Sequence, residues 1–269
     1  MKNRHVILGI LTAGLIVTAC EKVIDIPLED SERRIVIEAV FRDHPGDNYV
    51  LLSKTGSVYD DSDFEKISGA TVTITDNAGT VFVLPEVPGT PGMYTHPTFQ
   101  VTTNNMYTLT VITGSETFTS TAQTFHKPEL DTLTYLEQIG SFGVGTDTTY
   151  LVFFEFTDFA GTDNFYRVNA WVNDTADQSL YETNDELFDG QVYSQPLFAT
   201  TIEKRDTVLI ELLSMDKSAY TYFFSMSSAG SDGGPFAPTP ANPVSNINGG
   251  AIGYFGVYTT DTMTIIMPE

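Results

Sequence analysis

Between residues 34 and 126, short runs of β-branched and aromatic residues alternate with polar ones, and turn residues separate the runs at short intervals. The run 70–75 (ATVTIT) alternates with period two, Asp76, Asn77 and Gly79 follow, and 81–84 (VFVL) resumes the apolar pattern. That arrangement predicts a hairpin, because Asp, Asn and Gly accept the unusual dihedrals of a tight turn. Residues 107–111 (YTLTV) and Phe118 flank 113–116 (TGSE) and predict a second hairpin. No stripe of helical period crosses this stretch. The pattern is that of an immunoglobulin-like or transthyretin-like β-sandwich over 34–126. With no cysteine pair and no tryptophan in it, the antibody type is excluded.

Phe125, His126, Lys127 and Pro128 mark the expected boundary, since proline ends strand pairing and the pattern changes after it. Over 127–269 the expectation is a second β-rich domain with one short helix. Strands are predicted at 130–136, at 150–157 (YLVFFEFT), at 166–172 (YRVNAWV) and at 208–213 (VLIELL). The uninterrupted apolar run 151–154 implies a strand covered on both faces. Residues 173–195 are polar and acidic and read as a long loop. Asp216 is a plausible N-cap, and Ala219, Tyr220, Phe223, Phe224 and Met226 follow at helical spacing, which predicts a helix over about 217–229. Pro235, Pro238, Pro240 and Pro243 make an irregular segment, and 251–258 and 263–267 read as two closing strands.

The amino terminus has a different pattern. Lys2 and Arg4 precede residues 6–17 (VILGILTAGLIV), which carry no charge. Crossing a bilayer takes about 20 apolar residues, whereas the core of a cleaved signal takes only about 7 to 15. The stretch ends in Val17, Thr18, Ala19 and Cys20, with small residues before the cysteine, which is the lipobox pattern. Residues 1–19 are therefore expected to be a lipoprotein signal peptide cut after Ala19, with lipid attached to Cys20. Cys20 is the sole cysteine, so no intrachain disulfide can form, and lipidation removes an otherwise reactive thiol. Two or more acyl chains, at about 0.8 kcal/mol per buried methylene, make a stable anchor. Residues 20–33 are charged, contain Pro27, and read as the lipidated tether.

Charge narrows the partners. With 13 basic against 35 acidic residues the formal net charge is −22, which repels nucleic acid and anionic headgroups and suits cationic or basic partners. Known catalytic patterns are absent. His44, His96 and His126 show no pairing at i and i+4, and there is no nucleophile elbow or phosphate loop. No catalytic residue, cofactor or metal ligand is assigned. Two acidic runs, Asp60, Asp61 and Asp63, and Asn184, Asp185 and Glu186 with Asp189, could supply oxygens to calcium. Neither has the spacing of a calcium loop, and solvated loop charge is the expectation. Residues 245–258 carry four glycines (Gly249, Gly250, Gly253 and Gly256) close to Tyr254, Phe255 and Tyr258, as either a glycine-bulged core strand or an aromatic platform for a ligand.

Several of these features occur together in one family. Cys20 with Glu21, Lys22, Val23 and Ile24, the strand start 68–72 (SGATV) with the turn 76–79, Gly92-Met93-Tyr94, Tyr107-Thr108-Leu109, and Ser245-Asn246-Ile247 with Gly249-Gly250 resemble the lipoprotein family catalogued as domain of unknown function 4249. The resemblance implies a Gram-negative outer-membrane lipoprotein, facing the periplasm or the surface, associated with a TonB-dependent receptor. It carries over no catalytic residue. The first expectation is thus a non-enzymatic ligand-binding or accessory component of TonB-dependent nutrient uptake. A structural or adhesive surface lipoprotein, and a glycan-active hydrolase with dispersed carboxylates, are the alternatives. The absence of Asp directly after Cys20 favours the outer membrane. Replacing Cys20 by Ala should move the protein from the membrane fraction to the soluble fraction on ultracentrifugation; a Cys20→Ala protein that still sediments with membranes would refute the anchor.

Overall fold

The computed structural model describes residues 33–46, 48–56, 64–141, 144–198, 201–230 and 242–269. Ala19, Cys20, the tether to residue 32, the acidic run 60–63, and Pro235, Pro238 and Pro240 lie outside the described residues. The described residues belong to one compact unit. No helix among them is long and apolar enough to cross a membrane.

The chain is mainly β with one described helix. Its first half supplies β1 (Ile35–Arg42), β2 (Tyr49–Lys54), β3 (Thr71–Asp76), β4 (Val81–Leu84), β5 (Met93–Tyr94), β6 (Met106–Thr113) and β7 (Glu116–Gln123). The second half supplies β8 (Leu130–Ser141), β9 (Val144–Thr157), β10 (Phe165–Val172), β11 (Thr175–Ala176), β12 (Tyr181–Asn184), β13 (Val192–Pro196) and β14 (Thr207–Met215). The helix α1 (Lys217–Gly230) and the long strand β15 (Ile252–Ile266) follow. A curled eight-stranded sheet runs β11-β10-β14-β15-β1-β2-β5, with β12 also on β10. Two smaller antiparallel sheets, β4-β3-β6-β7 and β13-β9-β8, complete the architecture.

Both expected hairpins form. β3 and β4 pair antiparallel, and Asp76 Oδ1 holds their turn by accepting from the amides of Ala78 (3.0 Å) and Thr80 (2.8 Å). β6 and β7 pair from Met106↔Gln123 to Thr113↔Glu116. The helix starts where its N-cap predicts, with Asp216 Oδ1 accepting from Ala219 N at 2.8 Å.

Period-two alternation decides which face each strand buries. On β1, Ile37, Ala39 and Phe41 enter a core with Val50, Leu52, Val72, Leu109, Val111, Phe255 and Val257, between the large sheet and the four-stranded sheet. On β10 and β14, Val168, Ala170, Val208, Ile210 and Leu212 enter a second core with Val152, Phe154 and Phe156 of the three-stranded sheet. Residues of the opposite parity on the large sheet, among them Val40, Phe165, Leu213 and Tyr258, face α1 through Ala219 and Phe223.

Three expectations from the pattern need correcting. The run 151–154 is not covered on both faces: Val152 and Phe154 are buried while Leu151 and Phe153 are half-buried, because the second core lies on one side of β9 only. Residues 173–195 are not one long loop but contain β11, β12 and β13, sheet-edge strands whose polar residues stay partly or fully exposed and so give no apolar alternation. The two closing strands are a single strand. Thr259, Thr260 and Asp261 interrupt its apolar pattern, and their polar groups are used: Thr259 Oγ1 donates to His126 O (2.9 Å), Thr260 Oγ1 bonds Asp43 Oδ1 (2.9 Å), and Asp261 Oδ2 accepts from Leu130 N (2.9 Å).

β15 carries the large sheet across the boundary expected near residue 127. Its residues Ile252 to Tyr258 pair parallel with Val36 to Arg42, and Thr259 to Ile266 pair antiparallel with Ser214 to Thr207. Gly253 makes the first pairing possible. It sits at φ +109°, and a Cβ there would lie 2.0 Å from the carbonyl oxygen of Ile37. Gly253→Ala should therefore cost about 3 kcal/mol or more. Gly250→Ala, with φ +94° and open space around it, should cost about 1–2 kcal/mol from backbone strain alone. Urea denaturation of the two variants checks this, and equal losses would contradict the steric role of Gly253.

Candidate functional site

The helix-bearing face of the large sheet collects side chains that a plain core would not hold. Alternation along β1 puts Glu38, Val40 and Arg42 on this face, opposite in parity to the apolar Ile37, Ala39 and Phe41. Register places Tyr254 of β15 beside Glu38, and Tyr49 of β2 beside Val40. Tyr49 donates its hydroxyl to Glu38 Oε1 at 2.5 Å. From α1, Tyr222 stacks on Tyr254 with ring centroids 4.7 Å apart and 30° between planes, and Phe223 meets the same ring at 4.9 Å nearly edge-on. Glu38, Tyr49, Tyr222 and Tyr254 are all half-buried, so a carboxylate and three phenols share a partly open site.

Farther across the face, the Arg167 guanidinium lies 3.9 Å above the Phe223 ring. Its Nε, Oε2 of its cross-strand neighbour Glu182, and the Tyr258 hydroxyl are buried without a hydrogen-bond partner among the described residues. Tyr258 is 2% exposed, and its phenol lies against Gly256, where a Cβ would come within 2.0 Å of the hydroxyl oxygen. Burial pushes Tyr258 above the usual phenol range. Burial is also the main cause for Tyr49, Tyr222 and Tyr254, with the Glu38 charge adding to it. All four phenols are neutral at physiological pH.

A second polar group lies along the same strands. Glu211 of β14, 5% exposed, accepts from Arg42 Nε at 3.0 Å and from Asn169 Nδ2 at 2.8 Å, with His44 Nε2 at 3.6 Å. The pair is hydrogen-bonded, with Glu211 buried and Arg42 partly so, and removing Arg42 would leave the Glu211 carboxylate buried without this partner. His44, His96 and His126 each lie in a loop just past a strand, as expected from their neighbours.

Of the two acidic runs, 60–63 lies outside the described residues and 184–189 is described. Asp185 and Asp189 come together with Asp158, which the spacing did not reveal, with one oxygen of each within 4.8 Å of the others. Their oxygens already serve the loops. Asp158 accepts from the Tyr166 hydroxyl (2.6 Å) and Gly190 N (2.8 Å), Asp185 from Asn164 N (2.9 Å), and Asp189 from Gly161 N (2.7 Å). The arrangement clips the loop after β9 to the loop after β12.

The segment 245–258 is built into the fold. Ile247 and Phe255 are in the first core, Asn248 bridges to Thr119, and the Asn246 side chain both donates to Phe255 O (2.8 Å) and accepts from Phe255 N (2.9 Å). Pairing with β1 continues through Gly253 without a register shift, so the strand is unbulged there. Only Tyr254 of its three aromatics reaches the half-open site. Sequence reasoning missed Glu38, Tyr49, Tyr222 and Arg167. A charged residue inside an apolar strand, as in IVIEAVFR and FYRVNAWV, was the available signal for Glu38 and Arg167.

Fold and site define a mainly β protein with an aromatic and carboxylate-lined face beneath one helix. Its sequence matches the family described as domain of unknown function (DUF4249) over residues 21–264, and the chain belongs to that family. No curated protein matches the sequence.

The raised phenols make stability depend on alkaline pH. Tyr166, raised by burial and by its bond to Asp158, and Tyr258 are each 2% exposed. Folded, they stay protonated above the ordinary phenol value of 10.0, at which the unfolded chain ionises. Their contribution is complete below that pH and is lost as pH rises past it, by roughly 1.4 kcal/mol per pH unit for each. Tyr258→Phe should flatten this slope without lowering stability at neutral pH, since the hydroxyl it removes has no partner among the described residues. Denaturant titrations at a series of alkaline pH values measure both, and an unchanged slope would contradict the assignment.

Proposed function

We propose that this protein is a non-enzymatic outer-membrane lipoprotein, anchored through Cys20, that captures a ligand as an accessory of a TonB-dependent receptor in nutrient uptake. The observation that carries the ligand-binding part is the site at Glu38, where a carboxylate and three neutral tyrosines are held half-buried by three strands and a helix. Aromatic rings with a few fixed polar groups are the usual lining of a ligand site. The anchor rests on the lipobox, and the receptor association on what the sequence resemblance to lipoproteins of this family implies.

On this reading 34–126 is an immunoglobulin-like or transthyretin-like sandwich and 127–269 a second β-rich domain. The two-layer packing of β1, β2 and β5 against β4-β3-β6-β7 supports the first part. The first half shares the large sheet through β1, which favours a working part of the molecule over an inert spacer.

Pull-down of the lipidated protein from its native membranes in mild detergent, with mass spectrometry of its partners and a Cys20→Ala control, tests the proposal. Recovery of a TonB-dependent receptor is expected. Recovery of no outer-membrane partner under conditions that keep receptors soluble would overturn the receptor association.

A further inference from the structure

The geometry points to an organic ammonium group as the ligand chemistry of the Glu38 site, an inference that rests on the ligand-capture reading above. Glu38 is a half-buried carboxylate whose one hydrogen bond among the described residues comes from a neutral phenol, Tyr49. No basic side chain among the described residues lies within ion-pair distance of it. The two arginines of the same face are engaged elsewhere: Arg42 Nε is bonded to Glu211, and Arg167 lies over Phe223. Among the described residues, Glu38 thus has a hydrogen bond but no ion-pair partner.

The surroundings select the kind of cation. Burial first, and then the charge of nearby Glu38, push the Tyr49, Tyr222 and Tyr254 hydroxyls above the usual phenol range, so all three rings stay neutral. Neutral phenol rings present electron-rich faces that attract alkylammonium groups. Calcium or magnesium would need several converging oxygens, mostly charged or carbonyl, and this site offers one carboxylate. A compact organic ammonium, either the trimethylammonium of a choline-type headgroup or the primary amine of a lysine side chain, matches one carboxylate beside stacked aromatic rings. The net charge of −22 draws cations to the surface from solution.

The test is isothermal titration of the full-length lipidated protein, in a maltoside detergent that carries no choline headgroup, with three probes. These are choline, its uncharged carbon isostere dimethylbutanol, and Nα-acetyl-lysine amide. Saturable binding of choline or of the lysine amide is expected, and whichever binds identifies the source of the ammonium. Dimethylbutanol should bind about tenfold more weakly or worse. Glu38→Gln keeps an acceptor for the Tyr49 hydroxyl and removes only the charge, so it should weaken ammonium binding by a similar factor while leaving the circular dichroism spectrum and unfolding temperature unchanged. Tyr222→Leu, on the half-exposed side of α1, should weaken it as well. Equal binding of the alcohol, binding untouched by Glu38→Gln, or no binding of either ammonium would overturn the inference. Receptor recovery in the pull-down is read independently, so the ammonium assignment and the uptake reading fail separately.

Discussion

The pairing of β15 with both β1 and β14 is the constraint on which the rest of the structure depends. One strand near the carboxyl end gives its first half to a strand from the start of the described chain and its second half to a strand from the other side of the molecule. At the switch point, consecutive polar residues hold the flanking segments. Thr259 takes His126 of the connecting segment, Thr260 takes Asp43 just past β1, and Asp261 takes Leu130 at the start of β8. Buried hydroxyls would be costly on a plain core strand, and here their hydrogen bonds satisfy backbone and carboxylate groups that need partners.

The candidate site is a by-product of that pairing. Parallel register brings Tyr254 beside Glu38, so the aromatic and carboxylate cluster exists only when β15 is docked on β1. The helix completes it. Asp216 Oδ1 caps α1 at Ala219 while Oδ2 accepts from Gln123 N at 3.0 Å, tying the helix start to β7 of the first half. α1 can then set Tyr222 and Phe223 against Tyr254. Position and charge therefore come from three separate parts of the sequence, around residues 38–49, 216–223 and 254.

What the sequence made legible was local. Turn chemistry at Asp76 and Gly79, the N-cap at Asp216 and the alternation of β3 and β6 each report on residues a few positions apart, and each appeared in the structure where expected. What stayed hidden was long-range. Nothing near residues 259–262 announces that their polar groups will meet Asp43, His126 and Leu130, so the strand read as two. The edge strands within 173–195 pair with β9 and β10, which lie outside that window, and carry no apolar alternation of their own. The site escaped for the same reason, since Glu38 and Tyr254 are more than two hundred positions apart. The family match spans residues 21–264, both halves of the sheet that β15 joins.

Native-state hydrogen exchange, read by mass spectrometry at peptide resolution, tests the role of β15 most directly. Peptides from β1, β14 and β15 should share one opening free energy, and Gly253→Ala should lower protection in all three together. If β1 with the first-half strands opened independently of β14, or if Gly253→Ala loosened β1 while leaving β14 at its full protection, β15 would not be the element that holds the molecule together.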